Sequence, residues 1–333
     1  MTKVSDKNVI VTGVLGQTGS YMAEMLLEKG YKVYGLARPR TSGLDVVNIS
    51  GITEHENFKL LELDICEHVS MSSLISNLQP EFFFHFAALS HVRTSFDIPV
   101  ETFRVNAEAT IAQLQAIKEF SPSTKYYFAA TSELFGGLTC PETGYTEETP
   151  FHPRSPYAVS KLAAFYAVQN FREAYGLSAC SGILHNHESP RRANTFATRK
   201  ITQGVANIVS GNQTKLTMGD LSSFRDIGHA KDYCEAIWLM MNQDEFEDYV
   251  VGTGAGATIQ EMFDYVCSLG GLEPKDVYEL DERFCRPSEV PYLRANPAKI
   301  KSLGWNPKYD WKSLLKEMYE HDLGLVTKQS LGE

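Results

Sequence analysis

Several large protein classes are excluded by what this sequence lacks. No apolar run approaches the roughly 18 residues that a membrane span needs, so no membrane partner is expected. Basic charge is not in excess: 31 Lys and Arg stand against 41 Asp and Glu, a formal net charge of -10. That balance argues against a nucleic-acid partner, while local positive charge can still hold a small anionic ligand. The six cysteines include no C-x-x-C pair, and the nearest two, Cys267 and Cys285, are 18 positions apart. Neither a disulfide framework nor a zinc site is expected. Residues 1–7 are polar and lead straight into a strand, so the expectation is no secretory leader and a cytoplasmic location. Internal repeats and low-complexity tracts are also missing.

What is present reads as an α/β enzyme. At 333 residues with 43% hydrophobic composition, the chain can bury a sizeable core. Strand-like runs at 8–12, 32–36, 58–63, 82–86 and 126–130 alternate with helical spacing at 21–29, 72–78, 101–120 and 157–175. The 82–86 run, F-F-F-H-F, suits a strand buried on both faces. This alternation predicts a Rossmann-like doubly wound parallel sheet with a smaller C-terminal substrate-binding lobe. Beyond about residue 181 the rhythm changes. Segment 185–200 is polar and basic, helices are expected at 232–241 and 258–268, and a late strand at 248–252. The expected division is an NADP-binding domain over 1–180, with about 225–257 returning to it, and a substrate lobe over 181–224 and 258–333.

The first β-α unit carries Gly13-Val-Leu-Gly16-Gln17-Thr-Gly19 between strand and helix. The first glycine permits a tight turn, the second lets backbone approach a pyrophosphate, and the third allows close helix–strand packing. The helix N-terminus then faces the phosphates. A glycine-rich turn without a ligand is the competing reading, and the position at the start of a β-α series favours the dinucleotide. After the second strand, where an NAD site carries an acidic residue, stand Arg38 and Arg40. Two guanidiniums suit a 2'-phosphate, so NADP is the expected cofactor; two solvated surface arginines are the alternative. Asp64 and Ile65, after the third strand, are placed beside the adenine.

Tyr157 and Lys161 stand at i and i+4, on one helix face. A cation there is expected to lower the phenol's pKa and make Tyr157 a base near neutral pH, with Lys161 also reaching the nicotinamide ribose. Thr131, Ser132 and Glu133 follow the 126–130 strand, at the end where open parallel sheets bind ligands. Hydride transfer alone needs no carboxylate, whereas removing a proton from carbon does. A capping or surface role is the competing reading for Glu133. His185-Asn-His187-Glu188 lacks the H-E-x-x-H spacing, and no metal is expected.

These residues lie within a longer pattern: T-G-V-L-G-Q-T-G-S-Y at 12–21, A-A-L-S-H-V at 87–92, T-S-E-L-F-G at 131–136 and P-R-S-P-Y-A-V-S-K at 153–161. N-H-E-S-P-R-R at 186–192, T-R-K-I-T at 198–202, R-D-I-G-H-A-K-D-Y at 225–233 and R-P-S-E-V at 286–290 continue it. The chain thereby resembles the extended short-chain dehydrogenase/reductases and, within them, the GDP-mannose 4,6-dehydratase family, over roughly residues 8–310. The resemblance implies an internal redox cycle on a GDP-sugar, giving a 4-keto-6-deoxy product with no net use of NADP. Tyr157 would deprotonate the 4-hydroxyl, Thr131 hold that oxygen, and Glu133 take the proton from carbon 5. Ala87, Ala88, Ser90, His187 and Arg192 would join the glycine loop at the cofactor. Ser90, Ser132, Asn186, Lys200, Arg225, Arg286 and Glu289 would hold the substrate. A homodimer or homotetramer is implied, with segment 187–192 near a neighbour's cofactor.

Some positions depart from the family pattern. Thr18 replaces an aspartate, Leu15 a threonine, Glu101 a tyrosine and His185 an aromatic residue. Arg38-Pro39-Arg40 replaces adjacent arginines, and Ala193-Asn194 a glycine–glutamate pair. They leave open which arginine meets the 2'-phosphate and whether the sugar is a hexose or a heptose. A 4-dehydrogenase or epimerase of the same superfamily, and a cofactor-sensing protein without turnover, are the other readings.

Overall fold

The structure is a computed structural model that describes residues 7–40, 42–43, 45–137, 139–284 and 288–331. The first six strands are β1 (Asn8–Thr12), β2 (Lys32–Ala37), β3 (Phe58–Glu62), β4 (Phe82–His85), β5 (Lys125–Ala129) and β6 (Ala179–Leu184). Next come the short β7 (Asn186–Glu188), β8 (Leu216–Met218) and β9 (Phe224–His229), then β10 (Tyr249–Val251). Seven of these form one parallel sheet in the order β10-β6-β5-β4-β1-β2-β3. The chain starts at β1, winds to the β3 edge, then returns to build the other half from β4. The crevice where the winding reverses lies beyond the carboxyl ends of β1 and β4, the place for a ligand in such sheets.

Side-chain alternation explains why β4 is nearly all aromatic. Successive residues of a strand point to opposite faces. Phe82 and Phe84 pack with Met22, Leu26, Ile237 and Met240 on one side, and Phe83 packs with Ile10, Leu114, Phe128 and Phe165 on the other. Both faces are therefore covered by helices. Gln17–Glu28 and Ala230–Met241 lie on the first face, and His68–Leu78, Ala109–Phe120 and Pro156–Tyr175 on the second. The β6–β10 edge is tied by Asp248, which accepts from both Arg172 amino groups (3.1 and 2.7 Å) and from the Ser181 amide (2.7 Å).

The smaller layer is built around β9. Strands β11 (Gly256–Thr258) and β13 (Tyr292–Leu293) flank it, β7 also pairs with it, and β12 (Tyr278–Leu280) pairs with β8. Helices Ala197–Val209, Ile259–Leu269 and Trp311–Leu331 close a third core through Val205, Phe263, Val266, Leu314 and Met318.

Three details differ from the sequence reading. Strand β6 runs across the expected boundary at 180, so the central sheet keeps the chain as far as Leu184. Of the segment 225–257, helix Ala230–Met241 and β10 join the central layer, but β9 belongs to the second sheet. The expected 101–120 helix begins at Pro99 and contains a π-helical turn over Arg104–Glu108, and a separate short helix, Val92–Asp97, precedes it. No helix among the described residues is long and apolar enough to cross a membrane.

Candidate active site

The glycine loop hangs from the end of β1. Gly13 has φ +68, a left-handed conformation that a side chain disfavours, and a Cβ there would come within 2.9 Å of the Ala87 amide. A Cβ on Gly19 would run into the Gly13 carbonyl, so helix and loop touch backbone to backbone. Thr12 fastens the neighbouring strand end: its Oγ1 accepts from the Phe86 and Ala87 amides, both at 3.1 Å. Its own proton is left for His85 Nδ1, 2.8 Å away.

The loop is latched from the far side by segment 187–192 of the same chain. Gln17 Nε2 donates to the His187 carbonyl (2.6 Å), and Ser189 Oγ donates to Gln17 Oε1 (2.8 Å). His187 Nδ1 faces the His185 carbonyl at 3.1 Å and so carries the proton, which leaves Nε2 to accept from Thr18 Oγ1 at 2.8 Å. Burial and the nearby Arg192 charge push the His187 imidazole down to about 4, consistent with that neutral tautomer. Thr18, an anomaly in the sequence pattern, is thus the partner of His187. These contacts of His187 and Ser189 are with the glycine loop of the same chain.

The catalytic candidates come from three elements. Ser155 caps the helix Pro156–Tyr175 by accepting from the Ala158 amide (3.1 Å), with Pro156 at the first position. Ser95 Oγ accepts from the Tyr157 amide at 3.1 Å, which fixes the start of that helix. Thr131 caps the 3-10 turn Ser132–Phe135 through the Glu133 amide (3.3 Å), and Gly136, at φ +73, ends it. Glu133 is 9% exposed, so the surface-carboxylate reading does not apply. Asn106, in the π turn, receives the Leu89 amide (2.9 Å) and donates to Ser160 Oγ (3.0 Å), joining the helix to the loop after β4.

A cavity of about 240 Å3 opens between these parts. Its wall brings together Gly13, Gly16, Gln17, Gly19, Ala88, Ser90, Thr131, Ser132, Glu133, Tyr157, Lys161, Asn186, His187 and Arg192. Phe86, Val92 and Phe196 also line it and were not singled out from sequence, and so do Thr18 and His185, noted there as departures from the family pattern. A second cavity of about 430 Å3 adjoins it, sharing Val92, Asn186 and Phe196. That one is lined by Lys200, Arg225 and Glu289, as well as His91, Glu188, Thr198 and Phe284. Arg225 and Glu289 are paired at 3.3 Å, and Lys200 Nζ lies 3.5 Å from the centroid of the Phe284 ring. Arg286 lies outside the described residues.

Five expected cofactor residues are not in the cavity wall. Ala87 packs against Gly13 behind the loop, Arg38 and Arg40 are exposed after β2, and Asp64 and Ile65 follow β3. All four of the latter lie just past the carboxyl ends of their strands, at the rim of the crevice. The Arg191–Arg192 pair divides. Arg191 pairs with Glu24 (2.6 Å) and covers the Tyr21 ring (4.0 Å), while Arg192 faces the cavity. Among the described residues no cluster of three His, Cys, Asp or Glu side chains is placed to hold a metal ion.

Burial pushes the Tyr157 phenol up to about 12. The Thr131 hydrogen bond lowers it, the Glu133 charge raises it, and Arg192 lowers it. Lys161 is only 2% exposed and donates to the Ala129 carbonyl at 2.9 Å; burial brings its ammonium down to about 7.

Comparison with known proteins agrees with this geometry. A family model described as GDP-mannose 4,6 dehydratase matches residues 10–318. GDP-mannose 4,6 dehydratase 2 of Arabidopsis thaliana is 44% identical, over 98% of this chain and 89% of that protein. The Vibrio cholerae GDP-mannose 4,6-dehydratase is 38% identical, over 98% and 96%. Among solved structures, a dTDP-glucose 4,6-dehydratase from Bacillus anthracis in complex with NAD superposes with a TM-score of 0.81 at 26% identity, covering 94% of this chain and 96% of that one. A UDP-glucose 4-epimerase from Thermotoga maritima with UDP-glucose gives 0.83 at 25%, covering 97% and 99%.

Proposed function

The chain belongs to the GDP-mannose 4,6-dehydratase family and is a nucleotide-sugar 4,6-dehydratase; from that premise we propose which residues act and on what. The observation that carries the assignment is the shared cavity: a phenol, a hydroxyl and a buried carboxylate, Tyr157, Thr131 and Glu133, face one space at the carboxyl end of β5.

The cavity fits a nicotinamide dinucleotide. Lys161 has three donors and one hydrogen bond to a described residue, so a buried amine still has protons to give there. Gly13, Gly16, Gln17 and Gly19 would cradle the pyrophosphate, Tyr157 and Lys161 the adjoining ribose. Arg38 and Arg40, exposed at the end of β2, support NADP over NAD. The nicotinamide supplies the chemistry of accepting and returning a hydride.

The chain's own residues do the rest. Thr131 donates to the sugar 4-oxygen and Tyr157 takes its proton. Once carbon 4 is a ketone, the proton on carbon 5 is acidic, and Glu133 removes it while carbon 6 loses its hydroxyl as water. The second cavity supports the nucleotide, with Lys200, Arg225 and Asn186 toward an anionic diphosphate. The substrate is a GDP-hexose, GDP-mannose in the first instance, or the corresponding GDP-heptose. Incubation with GDP-mannose and GDP-manno-heptose, read by mass spectrometry, tests this: a product lighter by one water is expected. No water-loss product from any GDP-sugar would sink it. Glu133→Gln should abolish dehydration and leave substrate binding; a 4-dehydrogenase or epimerase would barely register that change.

The proposed assembly is a homodimer or a pair of them. Helices Pro99–Phe103 with Ala109–Phe120, and Pro156–Tyr175, pack together and expose Val100 (81%), Phe103, Ile111, Val159 and Tyr166 (51%). A second copy would cover this apolar surface. We place the enzyme in the cytoplasm, where such nucleotide sugars dissolve freely.

A further inference from the structure

The proposed substrate occupies both cavities at once, its sugar beside Tyr157 and Glu133 and its diphosphate toward Lys200 and Arg225. Among the described residues, Val92, Asn186 and Phe196 line both cavities. They come from three elements: Val92 opens the short helix after β4, Asn186 opens β7, and Phe196 precedes helix Ala197–Val209. The bond between sugar and diphosphate therefore passes between these three residues. Asn186 can hydrogen-bond a phosphate and Val92 is small, so the Phe196 ring is the one broad apolar surface of the three.

That ring is half-buried yet belongs to none of the three hydrophobic cores. It is held from two sides. Arg192 Cζ lies 3.5 Å from its centroid, and the His91 ring meets it edge to face at 6.1 Å and 68°. Arg192 lines the smaller cavity and His91 the larger, so the ring itself stands at their junction. Both neighbours are fixed in turn: Arg192 Nε is 3.2 Å from Glu188 Oε2, and His91 Nδ1 accepts from the Thr94 amide at 3.2 Å. The backbone is fixed as well. The Phe196 amide donates to the Ala193 carbonyl (3.2 Å), and its carbonyl accepts from the Lys200 amide (2.8 Å). Ala193-Asn194 is where the chain departs from the family's glycine–glutamate pair, so the turn that sets this ring is particular to this sequence.

We propose that the Phe196 ring, held between Arg192 and His91, is the orienting wall for the substrate: it packs against the sugar beside the anomeric carbon and so turns carbon 4 toward Tyr157 and carbon 5 toward Glu133. The bonds joining a sugar to a diphosphate rotate readily, so a grip on the phosphates alone leaves the sugar unoriented. A contact at the sugar itself is needed, because a reacting atom misplaced by about 1 Å costs about a hundredfold in rate. A ring clamped by a guanidinium and an imidazole supplies that contact at a fixed place. The binding energy it contributes is then used to align the sugar rather than to hold the nucleotide.

The inference rests on the proposed dehydration of a GDP-sugar, and the test separates the two. With the holoenzyme, two quantities are measured for wild type, Phe196→Ala, Phe196→Leu and Phe196→Tyr. One is kcat for GDP-mannose or GDP-manno-heptose, whichever reacts; the other is the affinity, by calorimetry, for GDP, which carries no sugar. Phe196→Ala should lower kcat by about a hundredfold and leave the dissociation constant of GDP within about threefold. Phe196→Tyr keeps the ring and should recover most of the lost rate. An unmoved kcat in Phe196→Ala overturns the proposal. A loss of GDP affinity as large as the loss of kcat places the ring in nucleotide binding and overturns it too, as does a tyrosine variant no faster than the alanine one. If wild type releases no water from either GDP-sugar, the assigned reaction fails and the inference falls with it. If wild type reacts and Phe196→Ala matches it, only the role of Phe196 is lost. Should Phe196→Ala not fold, Phe196→Leu decides: a lowered kcat with GDP affinity kept supports the proposal, and an unmoved kcat overturns it.

Discussion

Lys161 is an amine that the folded chain would rather see neutral. Its pKa falls from 10.5 to about 7 on folding, because burial penalises the charge. Between those values the folded protein binds fewer protons than the unfolded chain, so stability rises with pH across that window. Below about pH 7 the full penalty is present. Lys161→Met should therefore raise the melting temperature most at pH 6, and the advantage should shrink by pH 10, a change on the order of 4 kcal/mol. Melting curves at both pH values check this; an equal effect at the two would show that the ammonium is solvated. Activity should be lost at every pH, the usual exchange at a strained functional position. Residues such as Tyr157, Lys161 and Glu133 were legible in the sequence because their chemistry is declared by spacing or by a strand end. Asn106, Ser95 and the Thr18–His187 pair were not, since their partners stand 54, 62 and 169 positions away.

At the scale of elements, two fastenings carry predictions. The loop latch depends on the Thr18 hydroxyl, and Thr18→Val would leave His187 Nε2 buried without a donor. A cost of about 1–3 kcal/mol is expected, with weaker binding of the proposed nicotinamide dinucleotide by calorimetry, because the helix N-terminus it steadies would face the phosphates. Unchanged affinity would show that the loop holds its shape without the latch. The sheet edge depends on Asp248, 8% exposed, with Arg172 and the Ser181 amide as its donors. Asp248→Ala strands a largely buried guanidinium, and urea denaturation should show a loss of about 3 kcal/mol. The alternating strands and helices of the first half were readable because each is long, periodic and bounded by Gly or Pro. Strand β6 escaped notice because Ala179–Leu184, A-C-S-G-I-L, is small and mixed in character and becomes a strand only between its neighbours β5 and β10. Strands β7 and β9 are polar in sequence for a different reason: they face the cavities, so Asn186, His187 and Arg225 occupy positions that core packing would fill with apolar groups.

For the whole molecule the open apolar surface is the basis of the proposed assembly. Val100, Val159 and Tyr166 stand on two packed helices, one of which also carries Tyr157 and Lys161. Replacing Val159 and Tyr166 together with glutamate should turn a sedimenting dimer into monomer, with little change in the circular dichroism of the chain, because neither side chain is in the core. A wild-type protein that sediments as a monomer at micromolar concentration would remove the proposed assembly. Composition and charge had limited the class of the whole protein, but they could not show this surface. An exposed valine on a helix is ordinary alone and informative only when its neighbours in space are apolar too.

The π turn over Arg104–Glu108 has a consequence for descent. Each residue of a regular α-helix rotates the chain by about 100°, so one added residue, absorbed as a bulge, resets the phase of everything after it. Here Asn106 can aim at Ser160 and Leu89 while Ala109, Leu114 and Ile117 still face the core. A lineage that lost that single residue would have to give up one of the two orientations. The length of this helix therefore bears on the site as directly as a side chain in the cavity wall does, although the added residue itself lies outside that wall.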